Sequence, residues 1–61
     1  MTQADVRRFA LVLAVQARIE GMKADNTARE QRGESLAYPG KEFFDAEEEL
    51  RNLAYIHDDQ L

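Results

Sequence analysis

Phe9-Ala10-Leu11-Val12-Leu13-Ala14-Val15 sets seven consecutive apolar residues in a 61-residue chain that is 33% charged. The reading of this run decides the fold. It is too short to cross a bilayer, which takes about 18 or more apolar residues. Arg7-Arg8 before it and Ala14-Val15-Gln16-Ala17 at its end imitate the basic and cleavage regions of a secretion signal. Asp5, however, stands where such a signal is basic, and the amphipathic pattern continues past the would-be cleavage site. The residues after Arg8 do not match a twin-arginine signal either. The run therefore reads as one stretch of a longer helix.

Upstream, Thr2 and Asp5 have the spacing of a capping box, with Asp in place of the usual Glu, which marks a helix start. Downstream, Ala, Leu, Arg, Gln, Glu and Met dominate as far as Gly33, and all are good helix formers. One apolar stripe runs Val6, Phe9, Leu13, Ala17. A second runs Val12, Val15, Ile19, Met22 and ends at Asn26. Only the second continues past Ala17, so the helix begins apolar nearly all round and ends one-sided. Gly33 is the natural terminator, with Arg29 and Arg32 placed to complement the helix dipole. A first helix over residues 3–32 is predicted. Gly21 and Asp25-Asn26-Thr27 are its weak points, glycine costing about 1 kcal/mol against alanine. A break between Gly21 and Asn26 is the alternative, and would fold the N-terminal segment back into a three-helix monomer.

Residues 33–40 form the connection. Tyr38-Pro39-Gly40 is a turn signal, since proline fixes φ and glycine accepts positive φ. Leu36 and Tyr38 are expected to fold back onto the helix ends. A second helix over residues 41–57 follows from the single seam Phe43, Ala46, Leu50, Leu53 and His57. Glu42, Asp45 and Glu47 lie in its first two turns, where the dipole favours negative charge. Asp58-Asp59-Gln60-Leu61 reads as a frayed tail.

The predicted fold is a single all-α domain over residues 1–61, an antiparallel two-helix hairpin. Ile19, Met22, Phe43, Ala46, Leu50 and Leu53 are its predicted inter-helix core. Counted outward from the turn, Phe43 falls beside Arg29, Leu50 beside Lys23 and His57 beside Gln16. The second helix then ends before it covers residues 6–15. Domains this small bury little core and usually need a disulfide, a metal or oligomerisation. Cysteine is absent and there is one histidine, so oligomerisation is the remaining staple. Val6, Phe9, Val12, Leu13 and Val15 are the predicted self-association surface of a homo-oligomer, a twofold dimer in the first instance, closing into a helical bundle.

The net charge of −4 argues against a nucleic-acid binder, and its distribution is uneven. Residues 1–33 carry six basic and four acidic side chains, residues 34–61 two basic and eight acidic. Such halves favour pairing, within one chain or between two. DNA binding through Arg7, Arg8 and Arg18, or DNA mimicry by the acidic second helix, is the alternative function. Arg7-Arg8 beside the apolar run is also a weak membrane-surface signal. His57 with Asp58 is the one acid–base pair worth weighing, and a helix-end histidine on the dipole is the plainer reading. Glu47-Glu48-Glu49 point in different directions on a helix and do not converge on a metal. There is no phosphate loop and no paired ligand motif. No catalytic, cofactor-binding or metal-binding residue, and no small-molecule substrate, is therefore assigned.

The stretch Ala17-Arg18-Ile19-Glu20-Gly21-Met22-Lys23-Ala24-Asp25-Asn26, followed by Arg32-Gly33-Glu34-Ser35-Leu36-Ala37-Tyr38 and Phe43-Phe44, resembles the small early proteins encoded in the exo–xis region of lambdoid phages and prophages. The resemblance covers residues 17–44 and leaves out the apolar run. It implies an accessory protein in the host cytoplasm that binds an unidentified host or phage protein. Such proteins alter host physiology and bias infection toward lytic growth. It carries no catalytic residues over. Lack of cysteine fits a reducing compartment.

Overall fold

A computed structural model describes residues 1–61 and contains two long helices and no strand. Helix α1 spans Gln3–Gln31 and helix α2 spans Gly40–Tyr55, with a short 3₁₀ turn, η1, at Asp58–Gln60. The chain is a helical hairpin.

Helix α1 starts where its capping residues dictate. The Asp5 amide donates to Thr2 Oγ1 and the Thr2 amide donates to Asp5 Oδ2, each at 3.1 Å, which satisfies two donors that a helix start leaves open. It then runs unbroken through Gly21 and Asn26. The alternative three-helix arrangement is not the one adopted. At the far end Arg32 caps the helix and Gly33 takes a φ of 74°, the left-handed conformation that glycine tolerates best. The Gly33 amide donates to Glu30 O at 3.0 Å and the Glu34 amide to Arg29 O at 2.8 Å, a Schellman closure. Gly33 is the chain's single positive-φ residue; Gly40, expected to use that freedom in the turn, is instead the first residue of α2 behind the capping Pro39.

The connection corrects the predicted register. Rather than turning at the end of α1, residues 34–39 fold back along it. Tyr38 is held beside Asn26, more than a turn inside the helix: Asn26 Nδ2 donates to Tyr38 O at 2.8 Å and the Tyr38 amide donates to Asn26 Oδ1 at 3.0 Å. Helix α2 therefore starts further along α1 than a turn at the helix end would place it. Leu50 lies beside Gln16 and Ile19 rather than Lys23, and Glu49 pairs with Arg18.

This shift moves Val15 out of the expected self-association surface. Val15, Met22 and Ala46 are the only buried residues, and Ile19, Tyr38, Phe43, Leu50 and Leu53 pack against them. Val12 is half-buried on the same side. Ala46 has no exposed surface, because a methyl group lets the helices approach closely there.

The C-terminal end also departs from expectation. Helix α2 stops at Tyr55, so His57 is not in the seam but exposed in extended backbone, and Ile56 takes the inward place. Residues 58–60 are wound into η1, which packs on α1, and are not frayed. The molecule measures 47 × 18 × 11 Å with a radius of gyration of 14.6 Å, against about 10.5 Å for a compact chain of this length. It is a single layer of two helices.

Candidate functional surface

One uncommitted apolar feature lies on α1. Successive helical side chains are about 100° apart, which turns Val6, Leu13 and Ala17 away from Val15, Ile19 and Met22 and leaves Phe9 at the edge between the two faces. Val6, Phe9 and Leu13 remain 54%, 58% and 48% exposed. Of the five residues read as one association surface, Val6 and Leu13 face outward, Phe9 stands at the edge beside Val12 and Ala54, and Val12 and Val15 face α2. The run that opens the chain is thus divided between a core face and a free face.

A second apolar feature is the groove on one side of the inter-helix seam, about 340 Å³, lined by Leu11, Ala14, Val15, Leu53 and Ile56, with the Arg18–Glu49 pair at its rim. Leu11, four residues before Val15, and Ile56, three after Leu53, stand at seam spacing, but the stripes read from the sequence run through Val12 and His57 instead. Phe44 and Tyr55 are a third feature, exposed on the outer side of α2. They stand eleven positions apart, three helical turns, and that spacing off the main seam is the sequence signal for them.

The three arginines considered for phosphate binding are all engaged by the C-terminal half. Arg8 Nε donates to Leu53 O at 2.8 Å, and its Nη2 donates to Ile56 O at 2.6 Å and to Asp58 Oδ1 at 3.0 Å. Helix α2 has no basic residue in its own last turn. The Arg8 guanidinium takes that place, supplying both hydrogen bonds for open carbonyls and positive charge at the dipole's negative end. Arg7 Nη1 donates to Leu61 O at 2.5 Å, and Arg18 pairs with Glu49. The complementary charges of the two halves meet within one chain.

The acidic run of α2 is divided in the same way. Glu47 pairs with Arg51 at 2.5 Å and Asp45 with Lys41 at 3.0 Å, while Glu49 turns to Arg18. The hydrogen bond to Asp45, followed by the charges of Asp45 and Glu42, holds the exposed Lys41 ammonium above its ordinary value of 10.5. No three of the chain's His, Asp and Glu side chains converge in a way that could hold a metal ion. No helix is long and apolar enough to cross a membrane. Comparison with family models, curated proteins and solved structures finds no match to this chain.

Proposed function

We propose that this chain is a non-enzymatic accessory protein of the lambdoid-phage early type, acting by protein–protein contact in the host cytoplasm and self-associating, as a dimer, through the outward face of α1. The observation that carries the reading is the exposed stripe Val6, Leu13, Ala17 on the side of α1 that α2 does not use, with the exposed Phe9 at its edge. An exposed apolar patch rimmed by polar groups marks an interaction surface. A two-helix layer with three buried residues also has little to hold it together alone. The resemblance of residues 17–44 supports the accessory role in early infection. The Phe44 and Tyr55 face of α2 remains free for a host or phage partner.

Sedimentation equilibrium at micromolar concentration tests the self-association. A dimer is expected for the native chain and a less stable monomer for Leu13→Asp, since Leu13 lies outside the hairpin core and a charge there opposes the contact between copies. A native chain that is strictly monomeric and still unfolds cooperatively removes the reading.

A further inference from the structure

We infer that the second copy binds antiparallel, α1 on α1, in the register that sets Val6 of one copy against Ala17 of the other and Ala10 against Leu13. This rests on the self-association reading above and adds to it the geometry of the contact. The outward face of α1 carries Val6, Ala10, Leu13, Ala17, Glu20 and Ala24 at alternating spacings of four and three, the seam pattern of paired helices. Bulky and small residues alternate along it.

That alternation decides the direction. A parallel pair places each residue on its own counterpart. The Leu13 layer then holds the helices apart, and the Ala10 and Ala17 layers leave gaps that forfeit contact. The antiparallel register puts one bulky side chain and one methyl group in each layer between Val6 and Ala17. The seam has constant width, and the helices approach toward the short end of the usual range of about 8–10 Å.

Charge independently points the same way. Parallel pairing brings Glu20 onto Glu20 inside the seam, where like charges repel. Antiparallel pairing carries Glu20 to Gln3 and the start of the other copy's α1, where a side-chain amide and the positive end of the helix dipole receive it. The Lys23 ammonium, 3.3 Å from Glu20 Oε1, lies at the same end. The outward face is opposite α2, so the dimer has two α1 helices at its centre and an α2 on each flank.

The chain contains no cysteine, so two introduced thiols report the register without interference. In the variant carrying Val6→Cys and Ala17→Cys, the thiols on one helix are about 16 Å apart along the axis and cannot bridge within a copy. After mild oxidation and cleavage at arginine, mass mapping is expected to find links joining position 6 of one copy to position 17 of the other. Links from 6 to 6 and from 17 to 17 overturn the antiparallel register while leaving self-association intact. A dimer in sedimentation without a link from 6 to 17 also overturns the register. A native chain that sediments as a monomer overturns the self-association reading and the register with it. Ala10→Leu supplies a second measurement at an exposed position: overpacking is expected to weaken the antiparallel dimer about tenfold or more. Tighter dimerisation on Ala10→Leu, as gap filling in a parallel pair requires, overturns the proposal.

Discussion

Asn26 shows how a residue's role changes between sequence and structure. Within a helix it is a poor helix former and reads as a weak point. Here its amide group binds both the N–H and the C=O of Tyr38, closing the fold-back loop as a backbone strand would. Asn26→Ala is expected to cost about 1–3 kcal/mol, the range for leaving part-buried backbone groups unpaired, read as a lower urea midpoint with an unchanged slope. Gly21 is the opposite case. It sits in regular helix, its φ is not positive, and an added Cβ meets nothing within 4 Å. Gly21→Ala is therefore expected to add about 1 kcal/mol, a rise in melting temperature of about 4–8 °C for a domain this small. An unchanged or lowered melting temperature contradicts the description of α1 as one continuous helix there.

At the scale of the element, one helix caps the other. Helix α1 carries its own start signal in Thr2 and Asp5 and its own stop in Gly33. Helix α2 has no side-chain cap at Pro39 and no basic residue at its end, and borrows Arg8 from α1. The side chain of Arg8 is only 24% exposed and donates to two carbonyls as well as Asp58. Arg8→Ala is expected to cost about 1.5–3 kcal/mol, as for hydrogen bonds from a charged group. Arg7→Ala, which removes one exposed contact to the chain end, is expected to stay within about 0.5 kcal/mol. Equal effects of the two in urea unfolding refute the capping role. Ala46 marks the closest approach of the helices, and Ala46→Leu is expected to cost about 1–3 kcal/mol by forcing them apart. The helices themselves were legible from capping residues and three-four periodicity, because both are local properties of the chain. Where α2 ends was not: His57 continues the spacing of the seam, yet the chain leaves the helix at Ile56, whose inward side chain, with Arg8 on its carbonyl, anchors the turn into η1.

At the scale of the whole molecule, stability and association are one question. If the free face of α1 is covered by a second copy, the folded state is favoured by mass action, and its melting temperature rises with protein concentration. A hundredfold increase in concentration is expected to raise the melting temperature of the native chain and leave that of Leu13→Asp in place. Calorimetry at two concentrations checks it, and a concentration-independent native transition refutes it. The sequence alone determined two helices, the cap and glycine stop of the first, and the seam residues Ile19, Met22, Phe43, Ala46, Leu50 and Leu53, since each follows from neighbours three or four residues away. It also marked residues 9–15 as more apolar than one helix face can hide. Only the tertiary structure decided how that run is shared. The fold-back of residues 34–39 onto Asn26 slides α2 along α1, which buries Val15, half-covers Val12 and leaves Val6, Phe9 and Leu13 exposed. The path of a loop depends on contacts between residues distant in sequence, and no local period encodes them.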